Sequence, residues 1–230
     1  EPTTPTTKPD YSIKDDLLAL TFSVFLQTKD LKNAYKTVKI ALQKYPDSLY
    51  WHEQMAKVAL WIEEFDDAHR SMLFVYKNRK KHPEGFMKTL ESLAINKGDY
   101  ATIAEIMKQD IINGKTEKLS DFIYLETELL GNIDDAIKFL QELSEQSGTS
   151  ETKKEAIKQL IKLYFNLNEA NKVIYYVNEL TKNKYKLDAE IAILTSSSYF
   201  AKRNYEDSLK ILLQYAPIAS DNETEFWEQL

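Results

Sequence analysis

A four-residue motif returns along this chain at a nearly constant interval. It begins with a large apolar residue and, in five of six copies, ends with Ala or Ser. The copies are LKNA (31–34), FDDA (65–68), YATI (100–103), IDDA (133–136), LNEA (167–170) and YEDS (205–208). Their last residues are 34, 35, 33, 34 and 38 positions apart. An interval of this size is typical of repeat proteins, in which each repeat buries its apolar face only by stacking on its neighbours.

Apolar residues follow the motif at helical spacing. In the first copy, Ala34 is followed by Val38 and Ala41, a spacing of i, i+4 and i+7 that defines one face of a helix. A second stretch with helical apolar spacing precedes each motif, for example residues 50–62. Each repeat is therefore predicted to be a helix, a short turn and a second helix, which makes the fold all-α.

Glycine placement supports these turns independently. The chain has only 5 Gly and 6 Pro, which suits long helices. Gly98 and Gly131 stand at the same place in two repeats, just before the motif, where a helix end favours a left-handed residue. Gly114 and Gly148 fall where the second helix of a repeat is predicted to end.

The repeat resembles the tetratricopeptide repeat family, in which 34-residue helical hairpins carry small residues at close helix crossings. The first repeat, residues 15–48, shows Leu18, Phe25, Ala34 and Pro46 near the family's spacing. The resemblance covers about six repeats over roughly residues 13–219 and implies a right-handed α-solenoid of stacked helix–turn–helix units. Departures from the pattern are Phe22, Glu91, Asp110 and Lys158.

Paired acids in the motif raise the question of a metal or catalytic site. Asp66-Asp67, Asp134-Asp135 and Glu206-Asp207 lie where the second helix of a repeat is predicted to begin. Adjacent helical residues point about 100° apart, so they do not readily chelate one ion. Acids in a first turn are favoured by the helix dipole and by its unpaired amides. A structural role is therefore predicted.

No other pattern indicates catalysis, a metal or a cofactor. His52, His69 and His82 lack the i, i+4 spacing of a helical zinc pair. The serine cluster at 196–198 has no G-x-S-x-G surroundings and fits a close helix crossing better. The basic run KNRKKH (77–82) is predicted to close a helix, where cations are favoured, with contact to an anionic partner as the alternative.

Composition limits the partners. A net charge of −6, a pI near 5.3 and only three arginines argue against nucleic acid, whose binding proteins usually show a basic face. No run of about 18 apolar residues exists, so this fragment is not predicted to insert into a membrane. The chain has no cysteine, which excludes disulfides and thiolate chemistry.

Three segments are predicted. Residues 1–12 are Pro/Thr-rich and are predicted to be a flexible linker, residues 13–220 the solenoid, and residues 221–230 the start of a capping or next-repeat helix. The linker-like start favours a segment of a larger bacterial protein, in the periplasm or cell envelope rather than the cytoplasm. A link to exopolysaccharide export is analogy with long tetratricopeptide proteins only.

The resemblance implies a non-catalytic scaffold that binds another protein or peptide in a concave groove. Inward-facing positions carried over from the family make a candidate partner groove of Tyr50, Glu53, Lys57, Trp61, Lys88, Asn96, Asp121, Glu128 and Phe200. The alternative is a structural spacer or oligomerisation module that makes contacts, including self-association, through its ends, such as EFWEQL (225–230). A catalytic function would require a catalytic domain outside this fragment.

Overall fold

The computed structural model of the chain describes residues 13–145, 149–220 and 222–230, with side chains described from residue 17 onward. These ranges contain thirteen α-helices and no strand. The prediction of an all-α fold of helix–turn–helix repeats is confirmed. The helices are α1 (Ile13–Gln27), α2 (Leu31–Lys44), α3 (Leu49–Trp61), α4 (Phe65–Asn78), α5 (Phe86–Lys97), α6 (Tyr100–Ile112), α7 (Leu119–Tyr124), α8 (Ile133–Glu145), α9 (Ser150–Asn166), α10 (Ala170–Lys182), α11 (Ala189–Ala201), α12 (Tyr205–Tyr215) and α13 (Thr224–Gln229).

The motif marks the start of the second helix in five repeats. Helices α2, α4, α6, α8 and α12 each begin at the motif's large apolar residue. Polar residues just before two of them cap the free amides: Asp30 accepts from Asn33 N at 3.2 Å, and Asn204 accepts from Asp207 N at 3.3 Å. The motif's small residue is then buried, as Ala34 and Ala68 are, with no exposed surface.

The fifth repeat corrects the predicted alignment. Helix α10 begins at Ala170 after its N-cap Glu169, three residues later than the motif LNEA (167–170) predicts. The residue equivalent to Ala34 is therefore Val173, which is fully buried, whereas Ala170 is only half-buried. The extra length lies in α9, which has 17 residues compared with 13 in α3. The longest interval between equivalent residues therefore falls between the fourth and fifth repeats, and not between the fifth and sixth.

Two glycines end first helices as predicted. Gly98 has φ of 64° and Gly131 has φ of 69°, both in the left-handed region that a residue without a Cβ adopts at little cost. Gly98 is the C-cap of α5, and its amide bonds back to Ile95 O at 3.1 Å. Gly148 lies outside the described residues.

The first compact unit, Glu1–Thr102, contains helices α1 to α5. Helices α1 to α4 each pack against the next helix along the chain. Ala56, Ala59 and Ala68 lie where α3 and α4 meet and are almost fully buried, so the backbones approach closely. Trp51 fills the space between hairpins and meets Phe22 edge-on, with ring centroids 5.9 Å apart.

The second compact unit, Ile103–Leu230, contains helices α7 to α13. A π-helical turn, Leu125–Leu129, continues α7, and short 3₁₀ turns stand at Thr116–Lys118 and Ala216–Ile218. The serine cluster lies at a close helix crossing, as predicted. The hydroxyls of Ser196 (α11) and Ser208 (α12) are buried and lie 2.8 Å apart.

Helix α13 closes the C-terminal end of the second unit. Phe226 has no exposed surface and packs with Ala192, Leu212 and Tyr215. The Tyr215 hydroxyl donates to Glu223 Oε1 at 2.6 Å, and this bond together with burial raises the pKa of Tyr215 to about 12. The linker predicted at residues 1–12 lies outside the described residues, and the limits 13–220 of the repeat array stay a prediction.

Candidate partner-binding site

The paired acids are positioned by the first turns that the sequence predicts. Asp66-Asp67 open α4, Asp134-Asp135 open α8, and Glu206-Asp207 open α12. Asp67 accepts a hydrogen bond from Tyr35 of the preceding hairpin, and Lys39 Nζ lies 3.6 Å from the same carboxylate. Over the ranges that the structure describes, no group of three or more His, Asp or Glu side chains is arranged to hold a metal ion.

The histidines occupy packing positions. The His52 ring stacks on Phe74 at a centroid distance of 3.8 Å, and its Nε2 lies 2.8 Å from Pro46 O. His69 is 7% exposed, and its Nε2 lies 3.1 Å from Asp99 Oδ2. Burial lowers the pKa of His69, and the nearby Asp99 only partly opposes this.

A pocket of about 300 Å³ lies between α3, α4 and α5 of the first unit. Its walls are formed by apolar side chains from all three helices: Ala56, Leu60, Met72, Val75 and Phe86. This volume is at the lower end of small-ligand pockets, about 300–1,000 Å³. It therefore suits one or two side chains of a partner rather than a large molecule.

Charged groups form the rim of this pocket. Arg79, which follows the last residue of α4, donates to Glu53 of α3, so two of the rim charges neutralise each other. Lys57 also lines the pocket, one turn further along α3, and its side chain is exposed. Glu84 lies on the opposite side, in the turn before α5. A bound group thus meets an apolar interior with the exposed Lys57 and with Glu84 at its rim.

Of the predicted groove residues in the first unit, Glu53 and Lys57 line this pocket. Trp61 is 57% exposed at the end of α3, and Lys88 and Asn96 are exposed on α5, but none of these three lines it. Tyr50 packs edge-on against Trp51 at 4.9 Å, and 37% of its surface is exposed.

The predicted groove residues of the second unit stand on separate hairpins. Asp121 is exposed on α7, and Glu128 is exposed in the π-helical turn that follows it. Phe200 is 60% exposed at the end of α11 and contacts Tyr205 edge-on at 5.1 Å. None of the three lines the pocket of about 630 Å³ between α11 and α13, where Glu190, Ile193 and Phe226 lie.

Sequence reasoning missed most of the walls of the first-unit pocket. Arg79 belongs to the run KNRKKH, which predicts a helix end with contact to an anionic partner as the alternative, and α4 does end at Asn78. The same run also places a cation opposite Glu53, 26 residues earlier. The turn at 83–85 and Phe86 carried no helical spacing signal that would assign them to a site.

The hairpins define a tetratricopeptide-like helical repeat protein, and its first unit carries an apolar, charge-rimmed pocket. In sequence, no protein family and no curated protein matches the chain. Along the described ranges, no helix is both long and apolar enough to cross a membrane.

Three solved structures are similar over most of the chain. A tetratricopeptide repeat protein from Parabacteroides merdae ATCC 43184 is 14% identical, with 97% of this chain and 85% of that chain covered and a TM-score of 0.42. PilW, a widely conserved type IV pilus biogenesis factor, is 13% identical, with 94% and 98% covered and a TM-score of 0.43. Pseudomonas aeruginosa pilF is 13% identical, with 94% and 97% covered and a TM-score of 0.40. The hairpins themselves, rather than these distant likenesses, carry the assignment of the fold.

Proposed function

We propose that the chain is a non-catalytic scaffold that binds another protein through the first-unit pocket between α3, α4 and α5. The observation that carries this proposal is the combination of an apolar interior, Ala56, Leu60 and Phe86, with the exposed Lys57 at the rim. Repeat proteins of this class commonly use such surfaces for protein partners.

The pocket chemistry describes the partner segment. Burying one apolar side chain against Leu60 and Phe86 contributes about 1.5–3 kcal/mol. Lys57 adds a charge-assisted hydrogen bond to an acidic or carbonyl oxygen next to that side chain. We therefore expect a peptide segment with a large apolar residue beside an acid. The other predicted groove residues, from Tyr50 to Phe200, stay part of this proposal as a longer contact surface.

Peptide selection tests the proposal. A displayed random peptide library is panned against the whole chain, and the affinities of the selected peptides are measured by fluorescence polarisation. We expect Lys57→Glu and the pocket-filling Thr89→Trp each to weaken binding at least about tenfold, or 1.4 kcal/mol. Thr89 lines the pocket on α5.

The matched control is Lys81→Glu, which makes the same charge change at an exposed lysine that does not line the pocket. It should leave affinity unchanged. Selected peptides that bind Lys57→Glu and Thr89→Trp as tightly as the unmodified chain would contradict the pocket as the partner site.

The finer proposal is a role within a larger bacterial envelope or secretion protein. It rests on the Pro/Thr-rich residues 1–12 and on the outline of tetratricopeptide proteins of the envelope, with exopolysaccharide export as an analogy. Fractionation of cells that express the full-length protein tests this location. Recovery in the cytoplasmic fraction alone would contradict it.

The second candidate function is self-association through an end of the repeat array. The observation that favours it is the large exposed apolar surface of α1, where Leu17 and Leu20 are 64% and 61% exposed. The contribution of the opposite end is limited, because Phe226 of EFWEQL is buried within the chain itself.

A further inference from the structure

A second pocket of the first unit lies between α2, α3 and α4 and has a volume of about 290 Å³. We call it the α2–α4 pocket. Its apolar lining consists of Leu42, Pro46 and Met55. It shares no lining residue with the pocket between α3, α4 and α5, so the two pockets can be occupied and altered separately.

Two cations and one carboxylate line the α2–α4 pocket. Lys39 comes from α2, and Asp67 and Arg70 come from α4. Asp67 contacts both cations, with Lys39 Nζ at 3.6 Å and Arg70 Nη1 at 3.1 Å, and it also accepts a hydrogen bond from Tyr35. This single carboxylate holds two cationic groups at the pocket and neutralises only one of their charges.

Both cations keep donors that Asp67 does not use. An ammonium group has three N–H donors and a guanidinium group has five. The side chains of Lys39 and Arg70 are 51% and 75% exposed, so their remaining donors are accessible from solvent. A carboxylate that enters the pocket can therefore accept charge-assisted hydrogen bonds from these groups without displacing Asp67.

Helix α2 extends the positive charge beyond the pocket. It carries Lys32, Lys36, Lys39 and Lys44 and no acidic residue, although the net charge of the chain is −6. At about 100° per residue, Lys32, Lys36 and Lys39 lie within about 60° of one another around the helix. All three are exposed, so the side of α2 that borders the pocket carries a row of cations.

The second unit has a pocket at the corresponding place. It lies between α10, α11 and α12, has a volume of about 160 Å³, and includes Asp207 and Lys210. These two residues occupy the positions in α12 that Asp67 and Arg70 occupy in α4, counted from the first residue of each helix. The carboxylate and the cation that follows it are thus common to both pockets.

The first-unit pocket differs in the helix that precedes its hairpin. Because Val173 of α10 corresponds to Ala34 of α2, Asn171, Tyr175 and Asn178 stand in place of the three lysines. Thr181 stands in place of Leu42. The hairpins of the second unit pack without this row of cations, so the repeat fold does not require it.

The shape of the α2–α4 pocket indicates the class of partner. Lys39 and Arg70 stand on two different helices that border a depression, into which a side chain fits and a flat lipid surface does not enter. Clustered cations are a common means of recognising acidic protein segments. The apolar lining suits an apolar side chain within such a segment.

We propose that the α2–α4 pocket binds an acidic segment of another protein. One large apolar side chain of the segment contacts Leu42 and Met55, and neighbouring carboxylates pair with Lys39, Arg70 and Lys36. This site is additional to the partner site under "Proposed function" and does not depend on it.

Peptide selection on a chain whose other pocket is filled tests this site separately. The target is the whole chain with Thr89→Trp, which fills the pocket between α3, α4 and α5. The displayed library consists of short peptides with one central apolar residue and with Asp, Glu, Asn or Gln at every other place. We expect selection of Asp and Glu over Asn and Gln. The affinities, measured by fluorescence polarisation, should weaken as salt is raised.

Variants of the pocket identify where the selected peptides bind. Lys39→Gln combined with Arg70→Gln removes both cations and should weaken binding at least about tenfold. Gln43→Trp, at an exposed position of the pocket lining, fills the pocket and should weaken binding to a similar extent. The matched control is Lys210→Gln in the corresponding pocket of the second unit, which should leave affinity unchanged. Circular dichroism and urea unfolding verify that each variant is folded.

The outcomes separate this proposal from the other candidate functions. Peptides that bind the pocket variants as tightly as the target would overturn it, as would a selection without enrichment of Asp and Glu. Vesicles of phosphatidylcholine with phosphatidylserine test the other class of partner. Vesicle binding that requires Lys39 and Arg70, with no acidic peptide selected, would overturn a protein partner in favour of a lipid surface. None of these results depends on the pocket between α3, α4 and α5.

Discussion

The carboxylate of Asp66 accepts a hydrogen bond from Lys97 Nζ at 2.6 Å, which joins the first turn of α4 to the end of α5 in the next hairpin. Asp67, beside it, contacts Tyr35 of the hairpin before. The same geometry returns in the second unit, where Lys202 donates to Asn171, again 31 residues earlier. The paired acids of α4 therefore connect successive hairpins, and the bond from Lys97 lowers the pKa of Asp66.

Tyr35→Phe is expected to destabilise the protein by about 1.5–3 kcal/mol, because a hydrogen bond to a charged group contributes roughly this much. Without this bond Asp67 keeps the 3.6 Å contact to Lys39 and the 3.1 Å contact to Arg70, three residues on in α4. Urea unfolding measures the change. Tyr100→Phe is the control, since this hydroxyl has no hydrogen-bond partner among the described residues, and an equal loss in both variants would contradict the role of the Tyr35 bond.

The stability of the protein is expected to fall as pH drops through about 6.5, the ordinary pKa of histidine. Burial lowers the pKa of His69 in the folded chain, so the unfolded chain takes up the proton first and is favoured on acidification. The pKa of His82 is lowered in the same direction by burial and by Arg79.

Urea unfolding at pH about 7.5 and about 5.5 checks this pH dependence. The difference in unfolding free energy between the two pH values should shrink in His69→Gln and shrink further when His82→Gln is added. An undiminished difference in the double variant would show that neither histidine contributes.

Val173→Ala is expected to cost about 2 kcal/mol, because it removes two buried carbons and leaves a space in the core. Ala170→Ser should cost less than about 0.5 kcal/mol, since Ala170 is half-buried at the start of α10. Thermal or urea unfolding compares the two. A larger loss of stability in Ala170→Ser than in Val173→Ala would instead support the alignment on residues 167–170 that the repeat motif predicts.

Phe226→Ala is expected to destabilise the second unit by up to about 3 kcal/mol. This value is at the low end for phenylalanine, because the short terminal helix α13 can detach without global unfolding. Hydrogen exchange should increase in α11, against which α13 packs. Trp227→Ala is the control, because this neighbouring side chain is 40% exposed. An equal loss of hydrogen-exchange protection in α11 in both variants would contradict a specific role for Phe226 in covering α11.

Much of the fold was predictable from spacing alone. Helical apolar periodicity and the left-handed glycines at 98 and 131 are local properties, set by 3.6 residues per turn and by hydrogen bonds within a few residues. The predicted alignment of the fifth repeat was wrong, also for a local reason. Two overlapping apolar series, one from Ala170 and one from Val173, both fit one face of a helix. Burial in the folded unit selects the second.

The candidate site was predictable only in part. The tetratricopeptide resemblance placed Glu53 and Lys57 on an inward-facing helix, and both line the first-unit pocket. Trp61 and Phe200 fit the same pattern but stand exposed elsewhere, because the resemblance assigns a face of a helix and not the neighbours of each side chain.

The sequence by itself determined the all-α class, the helical hairpins and the structural role of the paired acids, because each depends on neighbours within about one or two helical turns. Tertiary structure alone decided that Arg79 meets Glu53 and that Asp66 meets Lys97. Glu53 and Arg79, 26 positions apart, meet only when the two helices of one hairpin pack together, and Asp66 and Lys97, 31 positions apart, meet only when one hairpin stacks on the next. The stacking depends on how side chains fit together in three dimensions, and a single sequence carries no local spacing that records it.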